Sequence, residues 1–230
     1  MKYLIVAAHP DDEVLGAGGT VHSIVKDGGS VDICIMNGKA EARAAGPEES
    51  ELRGDMLECF RILGIENSYI ADFPNIKFNN ADHLDLVKHI EHAIRESKPD
   101  IIITHHASDI NNDHMHTSLA CQAAIRLFQR QPDIPPVKEL WYMEVPSSTE
   151  WCINNSFNKF SPNLFVEIGK EGVECKLRAL AAYKGVKRDY PHPRSDEAIT
   201  GLAAFRGAQS GCVYAEGFET AFRRICFESK

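Results

Sequence analysis

The apolar run Tyr3-Leu4-Ile5-Val6-Ala7-Ala8 stops abruptly on His9-Pro10-Asp11-Asp12-Glu13, and this junction constrains the fold more than any other feature. A short, continuously apolar run suits a strand covered on both faces, as in a parallel sheet between two helix layers. Beyond it the period changes. Val14, Ala17, Val21, Ile24 and Val25 fall near helical spacing up to Lys26, and Gly28-Gly29 closes the segment. The same change recurs down the chain. It predicts strands at residues 31–36, 67–70, 101–104, 139–145 and 163–168, and helices over 48–63, 82–96, 114–129 and 173–183, with a short helix ending near Arg206. Gly64 suits a helix C-terminus and Pro99 a break before the next strand. Strands alternating with helices in this way predict an α/β fold: a Rossmann-like, doubly wound, mostly parallel sheet with right-handed crossovers and helices on both faces. Residues 147–162 have no clear period and carry Trp151, Phe157 and Phe160, so they predict a loop over the site.

Composition narrows the partners. A chain of 230 residues, 43% hydrophobic and 25% charged, is expected to form a single globular domain over 1–230. A formal charge of −8 without a Lys/Arg block argues against nucleic acid or an anionic membrane as the main partner. No apolar stretch approaches ~20 residues, and the chain opens on a strand instead of a signal peptide, so no membrane insertion and a cytoplasmic location are expected. The seven cysteines are scattered without a C-x-x-C pair and read as reduced thiols.

In open α/β sheets, ligands bind outside the carboxyl ends of strands. Two polar clusters stand at such ends: residues 9–13, and His105-His106-Ala107-Ser108-Asp109-Ile110-Asn111-Asn112-Asp113-His114-Met115-His116 after Ile101-Ile102-Ile103. His9 and Asp12, three apart across a strand-to-helix turn, can converge on one ion, and His114 can supply a third ligand from the neighbouring strand end. Two imidazoles and a carboxylate form a catalytic zinc set that leaves a position for water. Such an ion lowers the pKa of its water to about 7, and Asp11 can take the proton. A purely structural reading competes, because Asp-Asp-Glu after a strand also suits a helix N-terminus. Two other readings compete as well. The H-x-D…H pattern fits a non-haem iron oxygenase, although those enzymes typically use a β-sandwich core. A non-catalytic sugar- or nucleotide-binding module would tolerate the loss of Asp11, whereas a hydrolase would not.

His9-Pro10-Asp11-Asp12-Glu13 followed by Gly16-Ala17-Gly18-Gly19-Thr20 resembles the signature of the LmbE/PIG-L-like N-acetylglucosaminyl deacetylases. Asp113-His114 is similar to that family's second motif, and Arg53 with Leu63-Gly64 to its R…LG helix. Gly211-Cys212-Val213-Tyr214-Ala215-Glu216-Gly217-Phe218 resembles the ending of bacillithiol-pathway members. The resemblance implies a zinc-dependent hydrolase that removes acetyl from the nitrogen of a small N-acetylglucosamine-type substrate, with Fe2+ an alternative metal. Carried over by position, His9, Asp12 and His114 would be the ligands, Asp11 the general base, Asp113 a support to the site and Arg53 a substrate contact. The family also implies a homo-oligomer, trimeric or hexameric.

One departure stands out. Many members have His-Pro-Asp-His where this chain has Asn111-Asn112-Asp113-His114, so the oxyanion role falls to Asn111 or moves elsewhere. An amide NH2 can donate a hydrogen bond to an oxyanion but cannot act as a proton-donating acid. The acid is then open among His116, His106 and His192. His192 and Arg194 lie in a Pro-flanked turn suited either to reach over the site or to sit in solvent. Gly16, Gly18 and Gly19 lack the G-x-G-x-x-G spacing and point to close helix-on-sheet packing. Trp141 and Tyr142 read as strand core, and Trp151 as a core residue or a platform for a sugar face. Asp27, Asp32, Glu48 and Glu49 read as solvated charges. Tyr214 and Glu216 are expected to serve structure or a subunit contact.

Overall fold

Alternation of buried strands and amphipathic helices builds one seven-stranded sheet. The computed structural model describes residues 1–39, 49–153 and 158–225, with residue 49 described by its backbone alone. In chain order the elements are β1 (Lys2–Ala7), α1 (Asp12–Lys26), β2 (Ser30–Ile35), α2 (Glu49–Leu63), β3 (Ser68–Ile70), α3 (His83–Ser97) and β4 (Ile101–His105). They continue as α4 (Asn112–Ala124), β5 (Glu139–Met143), β6 (Leu164–Glu167), α5 (Gly169–Ala182), α6 (Asp196–Ser210) and β7 (Ala215–Arg223). The strand order is β3-β2-β1-β4-β5-β7-β6. The first five strands are parallel, and β7 runs antiparallel to both its neighbours.

Successive side chains of β1 explain why helices cover both faces. Tyr3, Ile5 and Ala7 join a core with Val14 of α1, Met56 of α2 and Ala179 of α5. Leu4, Val6 and Ala8 join a second core with Ile90 of α3 and Cys121 of α4. Period-two alternation on a strand thus feeds two separate apolar layers. The chain leaves β1 toward β2 on one side and reaches β4 on the other, so the order reverses at β1. The registered pairing of Val6 with Thr104 brings the ends of β1 and β4 side by side at that switch point.

Close packing of α1 against β5 and against the β6–α5 junction requires glycine at two positions. A Cβ on Gly16 would stand 2.4 Å from Met143 Sδ, and one on Gly19 2.6 Å from Ile168 Cδ1. A buried ion pair pins the same helix. Glu216 of β7 accepts from Gly19 N at 3.0 Å, Thr20 N at 2.7 Å and Lys176 Nζ at 2.6 Å, while Lys176 Nζ also donates to Leu15 O at 2.8 Å. The pair thereby engages the N–H of Gly19 and the carbonyl four residues before it, which explains a carboxylate inside the C-terminal motif.

Several expectations need correction. β7 has no counterpart in the sequence reading. Helix α4 stops at Ala124, with a 3-10 turn at Leu127–Gln129, and α6 runs on to Ser210. Asp32 is fully buried, not solvated, 2.9 Å from Lys2 Nζ and 2.9 Å from Asn67 Nδ2. Trp151 is 56% exposed and belongs to no core. Trp141 and Tyr142 are buried as expected. Phe157, Glu48, the Glu49 side chain and Cys226 lie outside the described residues. Among the described residues no helix is long and apolar enough to cross a membrane.

Candidate active site

The turn between β1 and α1 is held by its own side chains. His9 N donates to Asp12 Oδ2 at 2.9 Å, and Asp11 N donates to Glu13 Oε2 at 3.0 Å. Asp11 adopts φ 100°, a left-handed backbone that costs energy in a non-glycine residue and aims its side chain differently from that of Asp12. Such strain concentrates at functional positions.

Across the switch point His114, in the first turn of α4, meets this turn. Asp12 Oδ2 lies 3.3 Å from His9 Nδ1 and 3.2 Å from His114 Nε2, and one ligand atom from each of the three residues lies within 4.8 Å of the others. The remaining nitrogen of each imidazole faces a carboxylate. His9 Nε2 is 3.0 Å from Asp113 Oδ2, and His114 Nδ1 is 3.1 Å from Asp109 Oδ2. Asp113 also accepts from Ile76 N and Phe78 N, at 2.6 and 3.0 Å, so it anchors the 76–78 loop as well as His9.

The charges at this point favour a cation. Burial alone would lower the pKa of His114, but Asp12 and Asp109 outweigh it and hold the imidazole up at about 10. His9 is likewise raised, with burial opposed by Asp113 and Asp12. Burial would raise Asp12, but His114 and His9 bring it well below the usual carboxylate range. His105, fully buried and beside His114, is pushed down to about 3 and stays neutral. A donor set of two imidazoles and a carboxylate, ringed by further carboxylates, fits a divalent metal such as Zn2+.

These groups open into a cavity of about 520 Å3 lined by His9, Asp11, Asp12, Asn111, His114 and Arg194, among others. Arg194 Nη1 lies 3.2 Å from Asp11 Oδ2, and its Nε donates to Ser147 Oγ at 3.0 Å. Asn111 Oδ1 accepts from Asp113 N at 2.9 Å as the cap of α4, which leaves the NH2 as the end able to donate elsewhere. Other residues singled out from the sequence stand apart. Arg53 is exposed on α2 and does not line the cavity. Neither do His106, His116 or His192. The His192 ring accepts from Arg194 N at 3.0 Å and shapes the turn that carries Arg194. His106 is buried, 3.5 Å from Glu219.

Sequence reasoning missed Asp109, Ser148, Thr149, His105 and Tyr183 around the site. The only trace was the density of polar residues between 105 and 116. Ser148 and Thr149 gave no signal, because their partner Asp109 is about forty residues away.

The PIG-L family model, described as GlcNAc-PI de-N-acetylase, matches residues 4–125, more than half of the chain. A diacetylchitobiose deacetylase of Thermococcus kodakarensis is 24% identical over 98% of this chain and 86% of its own length. The conserved protein TT1542 from Thermus thermophilus superposes with a TM-score of 0.77 at 24% identity, covering 99% of this chain and 98% of that one. GalB, a 4-carboxy-2-hydroxymuconate hydratase from Pseudomonas putida, superposes with a TM-score of 0.78 at 21% identity over the whole of both chains. The two superpositions establish the fold, and the hydratase shows that this fold alone does not define the reaction. The family match covers both the HPDDE turn and the Asp113-His114 pair, and the chain belongs to the PIG-L family of de-N-acetylases.

Proposed function

We propose that this protein hydrolyses the acetamide of an N-acetylglucosamine-type sugar or conjugate in a zinc-dependent reaction, releasing acetate and an amino sugar. The observation that carries the reading is the convergence of His9, Asp12 and His114 in one cavity, with the Asp11 carboxylate beside them. Deacetylase activity on acetylated amino sugars is named in several relatives, including the Thermococcus enzyme and a 1D-myo-inositol 2-acetamido-2-deoxy-alpha-D-glucopyranoside deacetylase of Rhodococcus jostii, 29% identical over 45% of this chain.

Zn2+ held by His9, Asp12 and His114, or Fe2+ on the same ligands, would supply Lewis acidity and bring the pKa of water down to about 7. Asp11 takes the proton of the attacking water, and Arg194 fixes the orientation of its carboxylate. The Asn111 NH2 donates to the oxygen that gains negative charge as the carbonyl becomes tetrahedral. No histidine named as an acid lines the cavity, so Asp11 also returns the proton to the departing nitrogen. Before substrate arrives, Glu13 fixes the backbone of Asp11 and Arg194 holds its side chain.

The test is acetate release from a panel of N-acetylated sugars, conjugates and oligosaccharides by the Zn2+-loaded protein. Release is expected from at least one member and is expected to vanish in Asp11→Asn with the metal still bound. Normal turnover by Asp11→Asn would remove the base assignment, and no release from any member would remove the deacetylase reading.

A further inference from the structure

We infer that Asp109, gripped by the Ser148 and Thr149 hydroxyls, is the positioning residue that turns His114 toward the metal. The inference rests on the zinc site proposed above, but it concerns the chain's grip on the ion and is separable from the reaction catalysed.

His114 has one nitrogen on each side of the problem. Its Nε2 is 3.2 Å from Asp12, on the cavity side, and its Nδ1 is 3.1 Å from Asp109. To bind a metal the imidazole must be neutral with a single N–H, and a carboxylate at Nδ1 keeps that proton there, leaving Nε2 with the lone pair the metal needs. Rotation of either group would destroy this arrangement, and both are clamped. Thr149 Oγ1 accepts from Val145 N at 2.8 Å, so its own proton is directed to Asp109 Oδ2 at 2.7 Å. Ser148 Oγ donates to Asp109 Oδ1, which also accepts from Asn111 N at 2.8 Å. On the other side the His105 ring stacks on His114 with centroids 3.9 Å apart and planes 21° apart. His105 is itself fixed, because its Nε2 accepts from Ala8 N at 2.8 Å.

Asp109 is 5% exposed and does not line the cavity, so it acts through His114 and not on substrate. His105, Asp109 and His114 also have the spacing of a metal-binding trio. Three donors already occupy the Asp109 oxygens, which suits an orienting carboxylate better than a ligand. Asp113 stands in the same relation to His9, so each ligand imidazole has its own carboxylate.

The experiment compares Asp109→Asn, Thr149→Val, Thr149→Ser and Ser147→Gly by competition for Zn2+ with a chromophoric chelator, with thermal unfolding confirming that each variant is folded. Ser147→Gly is the control. It alters the same turn, but its hydroxyl accepts from Arg194 and makes no contact with Asp109, and its φ of 77° suits glycine. Asp109→Asn is expected to bind Zn2+ about 10- to 100-fold more weakly, the usual effect of losing a carboxylate behind a ligand histidine. Thr149→Val is expected to weaken binding and Thr149→Ser to restore it, while Ser147→Gly binds as the parent does. Parent-like affinity in folded Asp109→Asn overturns the inference, as does a loss in Ser147→Gly equal to that in Asp109→Asn. If Asp109→Asn does not fold, the Thr149 pair decides: Val weaker and Ser restored supports the inference, and equal affinities overturn it. A parent protein that binds no Zn2+ overturns it too. A parent that binds Zn2+ but releases no acetate removes only the deacetylase reading.

Discussion

Arg194 Nη1 stands 3.2 Å from Asp11 Oδ2, joining residues 183 positions apart in the chain. The guanidinium side chain is 26% exposed and the carboxylate 4%, so solvent screens one partner and the contact contributes orientation more than stability. Arg194 reaches Asp11 through Nη1 and Ser147 through Nε, a two-pronged grip that a lysine ammonium cannot reproduce. Arg194→Lys is therefore expected to lower kcat on an N-acetyl sugar by roughly 10- to 100-fold, as misplacement of a catalytic group does. Steady-state kinetics check it. A rise in KM alone would instead make Arg194 a substrate contact.

Metal removal should separate the ligands from the base. Dialysis against a strong chelator is expected to abolish acetate release, and Zn2+ to restore it. His114→Ala and Asp12→Ala should fail to recover and should contain little metal by elemental analysis, because two ligands leave the tetrahedral set incomplete.

Glu13 predicts a pH dependence of stability. It is fully buried; burial pushes its carboxyl up from 4.5 to about 8, with Asp11 and Asp12 adding to the rise and the Tyr183 hydroxyl at 2.5 Å opposing it. The unfolded chain releases this proton near 4.5 and the folded chain near 8. Between those values the folded state binds more protons, so the contribution of Glu13 to stability declines as pH rises through that window and is level above it. Glu13→Gln cannot titrate. The difference between the two urea-unfolding profiles should slope by about 1.4 kcal/mol per pH unit inside the window and flatten outside it.

The Lys176–Glu216 pair predicts a large structural effect without chemistry. Both side chains are 6% exposed, and Glu216 accepts from two backbone N–H groups of α1. Lys176→Met alone leaves a buried carboxylate without its counter-charge and is expected to cost about 3–5 kcal/mol. Lys176→Met with Glu216→Gln should cost less than the two single changes summed, which chemical denaturation of all three variants would show.

The sheet and half of the site were legible because their signals are local. The run ending at Ala8, the helical spacing from Val14 to Val25 and the polar residues after Ile103 each lie within one short window, where period and composition report directly on neighbours. β7 was not legible. Ala215–Arg223 mixes glycine, alanine and charged residues, and it becomes a strand only because β5 and β6 supply hydrogen-bonding edges on either side. Asp32 misled for a related reason: its carboxylate is buried because Lys2 and Asn67, distant in sequence, arrive beside it.

By itself the amino-acid order determined the alternating elements, the strand-to-helix turn at 9–13 and the identity of the groups able to hold a metal. Only the folded chain decided which carboxylate faces which imidazole, that Arg194 reaches Asp11, that Arg53 and His192 stand outside the cavity, and that Ser148 and Thr149 hold Asp109. The division has a physical cause. Secondary structure arises from interactions a few residues apart, whereas a side chain's protonation and orientation depend on whatever the remaining chain brings within about 3 Å of it, a distance set by hydrogen-bond geometry.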